Sequence, residues 1–335
     1  MSFPAMALRA HAHPLSARRA RPTPTGCSRG GRVVLSAVTS TVDQSTAMPS
    51  FHAAPGSHFD MANLELKGPR SNVDKGDPHD YGRPFVKGAL DGSAACGSWA
   101  CSPGGWDSPN PRPSTEWFYV LSGTGCVTDP DGTAHPFGPG DVVVLPRGWH
   151  GRWDITEHIH KIWLTHTHED KAGASKRPSV EPVARLVSES RASSEDVGRA
   201  GAASYAADGF KAGAWSLPAR GAASVSNPPT AIEVFIVVKG ELFVVDTDGA
   251  VARRCVPGDV VVLPEGWRGT LRGGDAATEA AAVSVESAGE IGAGRTLSTV
   301  STVPNVMGAR APAHAPRGAE RDEMYDPENE SRGRR

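Results

Sequence analysis

Apolar and polar residues alternate along Glu116–Leu121. Glu116, Phe118 and Val120 fall on one face, and Trp117, Tyr119 and Leu121 on the other. That is the two-residue period of a half-buried strand. Ser122-Gly123 ends it, and a second strand is predicted over Gly125–Thr128. Asp129-Pro-Asp-Gly132 then turns the chain, because tight hairpins need a residue at positive φ. Phe137-Gly-Pro-Gly-Asp141 makes another turn into the apolar run Val142–Leu145, which Pro146 and Gly148 stop. Short strands with turn signals about every ten residues predict an all-β barrel or sandwich.

The pattern recurs about 117 residues further on, the mark of a duplicated domain rather than a short-period solenoid. Glu116 matches Glu233, Gly123 matches Gly240, Asp141 matches Asp259 and Trp149 matches Trp267. Upstream, the segment around Trp99 pairs with that around Trp215. Strand pattern, turn residues and spacing repeat together.

These residues carry a resemblance. Glu116-x6-Gly123, then Asp131-Gly132, then Pro139-Gly-Asp-x4-Pro-x-Gly-Trp149 are similar to the cupin superfamily. Trp99, Pro103-Gly104, and the tail Gly151-x-Trp153-x3-Glu157-x3-Lys161-x-Trp163 resemble the family named for the (S)-ureidoglycine aminohydrolase cupin domain. The resemblance implies an all-β bicupin: two tandem antiparallel jelly-roll barrels. The expected organisation is an organelle transit peptide over 1–42 and a polar lead-in over 43–83. Barrel 1 follows over 84–170, a linker with a lead-in strand over 171–204, a degenerate barrel 2 over 205–290 and a disordered tail over 291–335.

Composition fits two domains and narrows the function classes. The 335 residues, 39% of them hydrophobic, can fill two barrel cores. A net charge of −2 gives no electrostatic case for nucleic acid or an anionic membrane. No apolar run reaches the roughly 18 residues of a membrane helix. Five cysteines with no Cys-x2-Cys pair argue against a disulfide framework, and Cys96 and Cys101 read as buried thiols. Residues 1–42 lack Asp and Glu and carry Arg9, Arg18, Arg19, Arg21, Arg29 and Arg32. That is the composition of a transit peptide. Four prolines interrupt the amphipathic helix of a mitochondrial presequence, so chloroplast is the expected destination and mitochondrion the alternative.

The resemblance implies a barrel metal held by two His in His-x-His, a Glu and a later His. Here Glu116 and Glu233 keep the Glu, but the His-x-His positions fall at Asn110 and Arg112, or at Pro109 and Pro111. The last His falls at Gly151, with His150 one residue early. No cofactor is therefore expected. A divalent transition metal remains the alternative, held by Glu116 with His150, His158 and His160. The resemblance places Lys161 and Trp163 of the closing strand inward, and strand alternation then turns His158 and His160 outward to solvent. An interior carboxylate needs a cation, so Glu116 and Lys161 are the candidate catalytic pair. Trp99, Phe118, His150, Trp153 and Trp163 are the candidate pocket. In repeat 2 the Lys161 position falls on Glu279 and no cation for Glu233 is evident.

Three functions stay open: a binder of a small polar metabolite in barrel 1, with turnover undecided; a metal-dependent hydrolase or oxygenase; and a non-catalytic structural or storage-like bicupin. A homodimer through the barrels is compatible with each.

Overall fold

The computed structural model describes residues 49–168, 181, 183–186, 197, 202–249, 251–287 and 298–299. The chain divides into two units, Met1–Ser45 and Thr46–Arg335, and every described residue belongs to the second. The leader expected over 1–42 and the tail beyond Thr299 lie outside the described residues. No helix among the described residues is long and apolar enough to cross a membrane.

The structure is all-β. Its first half runs through β1 (His52–Ala54), β2 (Glu65–Pro69), β3 (Val73–Gly76), β4 (His79–Ala89), β5 (Ala94–Cys101), β6 (Gly104–Ser108), β7 (Ser114–Ser122), β8 (Gly125–Thr128), β9 (Ala134–Phe137), β10 (Val142–Leu145), β11 (Gly151–Ile155) and β12 (Ile159–Thr167). The second runs through β13 (Arg185–Leu186), β14 (Ala202–Ala207), β15 (Phe210–Leu217), β16 (Ala222–Ser226), β17 (Ala231–Lys239), β18 (Leu242–Asp246), β19 (Ala252–Cys255), β20 (Val260–Leu263), β21 (Arg268–Gly273), β22 (Thr278–Glu286) and β23 (Ser298–Thr299).

Barrel 1 is built from two sheets, β13-β10-β7-β12-β5-β4-β2 and β3-β6-β11-β8-β9. Barrel 2 is built from β1-β20-β17-β22-β15-β14 and β16-β21-β18-β19. The duplication is visible in the pairing: Glu116 lies opposite Leu145, and Glu233 opposite Leu263.

Alternation along each strand sorts side chains into three cores. Phe118, Val120 and Trp153 fill barrel 1, and Phe235, Val237 and Trp267 fill barrel 2. The intervening residues Trp117, Ile162 and Leu164 pack with Val234, Ile236 and Val283 between the two barrels.

Four expectations need correction. The polar lead-in over 43–83 is built into the sheets of both barrels. It supplies β1, β2 and β3 and the start of β4, which begins at His79 rather than Pro84. The segment read as a strand leading into repeat 2 instead pairs with β10 of barrel 1. The small-residue linker contains β14, paired with β15. Within the tail, Ser298–Thr299 pairs with β4. Short polar edge strands carry little hydrophobic period, which hides them from pattern reading.

The exchange of edge strands is reciprocal. β1, which precedes barrel 1, completes the sheet of barrel 2, and β13, which precedes barrel 2, completes the sheet of barrel 1. Each added strand is fastened to an equivalent Asp. Asp129 accepts from Trp149 Nε1 (2.8 Å) and Ala184 N (3.0 Å), while Asp246 accepts from Trp267 Nε1 (2.7 Å) and Ser50 Oγ (2.8 Å).

Candidate binding site in the first barrel

Glu116 enters barrel 1 because the alternation of β7 puts it on the face of Phe118 and Val120. Lys161 sits two strands' width from β10 on the central strand β12, opposite Trp99 on one side and Val120 on the other. Lys161 Nζ donates to Glu116 Oε1 at 2.7 Å. Both side chains are only 5% exposed, so the pair is a core feature.

The second carboxylate oxygen is also engaged. Arg112 Nη2 donates to Glu116 Oε2 at 2.6 Å, and its side chain is 4% exposed. Sequence reasoning passed over Arg112 because an arginine does not ligate a metal. The signal was its place, at a position where the cupin pattern has an inward ligand. Arg112 is delivered by the proline-rich loop before β7, whose backbone is tied down by Arg112 N donating to Trp149 O at 3.0 Å.

Burial pushes the Glu116 carboxyl up, but Lys161 and Arg112 together outweigh it and hold the group below its ordinary value. Glu116 is therefore an anion between two cations, each bond charge-assisted. The Lys161 ammonium also lies over three rings: Phe118 at 4.1 Å, Trp99 at 4.6 Å and Trp153 at 4.8 Å from the centroids. A cation over aromatic faces is stabilised by their quadrupoles, more so when desolvated. Trp153 anchors this cage, stacked on Trp106 at 6.1 Å and edge-on to Trp149 at 6.2 Å.

The candidate pocket residues divide. Trp99, Phe118 and Trp153 surround the charged cluster, and Trp163 packs half-buried against the same core. His150 does not join them. It is half-buried on the turn after β10, with Nδ1 3.3 Å from the Gly148 carbonyl. The four candidate metal ligands are not brought together either. His160 lies on the opposite face of β12 from Lys161, 2.7 Å from Ser98 Oγ, and His158 is exposed beside Tyr81. Among the described residues, no group of three or more His, Cys, Asp or Glu side chains could hold a metal ion.

The strand parity of the histidines stands, but their expected solvation does not. His160 is 7% exposed, and Ile162 and Leu164 on the same face pack with Phe59 of the lead-in and with the second barrel. Burial lowers the His160 pKa to about 4. His166 is likewise buried, and its pKa falls to about 3.

Barrel 2 shows what the site in barrel 1 has gained. The counterpart of Lys161 is Ala280, not Glu279. Lys161 pairs with Trp99 and Val120, and Ala280 pairs with Trp215 and Val237. The bulges of β7 and β17 are equivalent, but the connection from β21 to β22 (274–277) is one residue longer than that from β11 to β12 (156–158), which displaces the register that a constant sequence offset assumes. Arg112 corresponds to Asn227, whose backbone N donates to Trp267 O. Asn227 turns its amide to the carbonyls of Leu263 and Pro264. Glu233 is buried and has interactions of its own.

Comparison with known proteins agrees with this architecture. Residues 88–163 match the EutQ-like cupin domain family. No curated protein matches the sequence. Among solved structures, the Escherichia coli protein Ylba is 11% identical, with a TM-score of 0.50 over 72% of this chain and 93% of its own. A protein of unknown function from Pseudomonas syringae pv. tomato is 17% identical, covering 71% of this chain and 100% of its own, with a TM-score of 0.45. A cupin 2 conserved barrel domain protein from Leptotrichia buccalis is 10% identical over 67% of this chain and 98% of its own, with a TM-score of 0.41. The two jelly-roll barrels and their repeated turn motifs give this chain a cupin-type fold, and residues 88–163 of barrel 1 are similar to the EutQ-like cupin domain.

Proposed function

We propose that barrel 1 binds a small polar metabolite at the cluster of Arg112, Glu116 and Lys161, in a bicupin of the ureidoglycine-aminohydrolase-like type. The observation that carries this reading is a fully charged, mutually paired cluster held inside an aromatic cage. It occupies the place where the cupin pattern puts a metal and its ligands. Such groups fix the orientation of a polar molecule among apolar walls.

The electrostatics favour binding over proton transfer. A general base works best with a pKa near the operating pH. Glu116 is instead held below its ordinary value by its two cations. Any turnover at this site would use Lys161 as a fixed positive charge facing negative charge that develops on the substrate.

The test is a thermal-shift screen of the mature chain against polar metabolites, repeated with Lys161→Met, alongside elemental analysis. Ligands that stabilise the wild type but not Lys161→Met support the reading. No ligand shifting the wild type, or stoichiometric transition metal in protein made without added metal, refutes it.

A structural role is the second reading. It is favoured by the caging of the Lys161 ammonium by three rings and a carboxylate of the protein itself. Under that reading the screen is silent. The chloroplast destination rests on residues 1–42 alone. A fluorescent fusion carrying residues 1–60 should reach plastids, and diffuse cytosolic signal would refute it. Sedimentation of the mature chain tests the homodimer.

A further inference from the structure

The charged cluster extends beyond Glu116. Arg70, at the end of β2, reaches Asp80 on β4, with Nε 2.9 Å from Oδ2. The Arg70 guanidinium lies over Trp106 at 4.8 Å and over Trp99 at 5.5 Å. It also acts on the Glu116 carboxyl, lowering it further. Arg70, Asp80, Arg112, Glu116 and Lys161 thus form one set, with three cations and two carboxylates. Arg70, Asp80 and Trp99 are half-buried and mark the side of the cluster nearest solvent.

Each carboxylate already holds at least one cation. Hydrogen-bond donors meanwhile go unanswered. The indole N–H groups of Trp106 and Trp153, side chains 1% and 2% exposed, have no acceptor among the described residues. A buried donor without an acceptor costs about 1–3 kcal/mol. Cys101 is no substitute anion, because burial, reinforced by Asp80, pushes its thiol far above the usual range and keeps it neutral. The cluster is rich in donors and short of acceptors.

We propose that the molecule taken by barrel 1 bears a carboxylate, and that Arg70 with the indole N–H groups of Trp106 and Trp153 anchors it. This rests on the reading of barrel 1 as a metabolite site and names the chemistry of its ligand. A carboxylate supplies two acceptor oxygens in the geometry of a guanidinium fork. Its single charge is less costly to desolvate than that of a phosphate dianion. An amine would meet three cations and carboxylates already paired.

The test uses the mature chain with acetate, lactate and benzoate as carboxylate probes. Acetamide and lactamide serve as neutral probes, methylammonium as the cationic probe and chloride as the ionic-strength control. The carboxylates are expected to raise the Tm saturably, beyond matched chloride, with methylammonium giving no shift. Arg70→Gln should weaken carboxylate binding about tenfold or more, the loss of one charge-assisted contact. Because that variant risks misfolding, the wild type labelled with 15N-Trp gives a second readout: two indole N–H resonances should move on adding carboxylate. Unmoved indole resonances, or binding unchanged in Arg70→Gln, would overturn the proposal. Stabilisation by the neutral amides alone would overturn the carboxylate assignment and leave the metabolite reading standing. Silence from all probes and from the wider metabolite screen would remove both.

Discussion

Replacing Glu116 by Gln keeps the size and shape of the side chain and removes its charge. In the wild type the carboxylate faces Lys161 Nζ at 2.7 Å and Arg112 Nη2 at 2.6 Å. Gln offers one acceptor oxygen and turns an NH2 group toward a second donor. One buried cation therefore loses its hydrogen bond, and both lose their counter-charge. Breaking a buried pair by removing one partner costs roughly 3–5 kcal/mol, and two cations on one carboxylate place the expected loss in the upper part of that range. At about 2–4 °C per kcal/mol for a domain of this size, the Tm should fall by about 6–20 °C. Chemical denaturation of the protein measures the loss directly. The control is Asp275→Asn, which breaks an ion pair to Arg220 whose side chains are 81% and 89% exposed. It should lose less than about 1 kcal/mol. Equal, small losses for the two variants would show that Glu116 has no special partners, and the account of barrel 1 would fail.

Three further outcomes are expected. His160 is buried with a pKa lowered to about 4, so the unfolded chain binds its proton first, and this contribution to stability is lost as pH falls from about 6.5 through 4. Denaturation at pH 7 and pH 5 should differ less in His160→Asn than in the wild type, and an unchanged difference would count against it. Gly123 and Gly132 both sit at positive φ, but a Cβ at 123 would collide with the His158 carbonyl while one at 132 meets nothing. Gly123→Ala should therefore destabilise by several times the roughly 1 kcal/mol expected of Gly132→Ala, and equal losses would refute the close approach. Asp246→Asn should cost about 1–3 kcal/mol by misplacing a donor against Trp267 Nε1 or Ser50 Oγ. It should also speed proteolytic cutting near Ser50, and an unaltered cutting rate would separate Asp246 from the docking of β1.

The parts of this structure that a period could reveal were legible in the chain. Two-residue alternation put Glu116, Phe118 and Val120 on one face, and the same parity turned Lys161 toward them. What escaped were side chains whose direction no period governs. Arg112 is aimed by a proline-rich loop pinned to Trp149, and Arg70 and Asp80 come from a polar lead-in whose strands pair at an edge. Ala280 was misplaced because the turn before β22 is one residue longer than its counterpart before β12, and a polar turn carries no period that reveals its length. His160 points outward as its parity requires, yet parity carries no information on what lies above that face. Only the packing of the second barrel and the lead-in supplied it.

The reciprocal exchange of edge strands sets an order of events during synthesis. Ala53 leaves the ribosome long before its partner Val261 exists. At about 5–20 residues per second, the roughly 200 intervening residues take on the order of 10–40 s to appear. For that interval the first strand has no sheet to join, and its apolar neighbours Phe51 and Phe59 stay exposed to other chains. Barrel 1 waits a shorter time, for Arg185–Leu186 to close its open edge. A nascent chain stalled between these two points would therefore hold one nearly finished barrel and one sticky end, the form in which a holding chaperone would find most to grip.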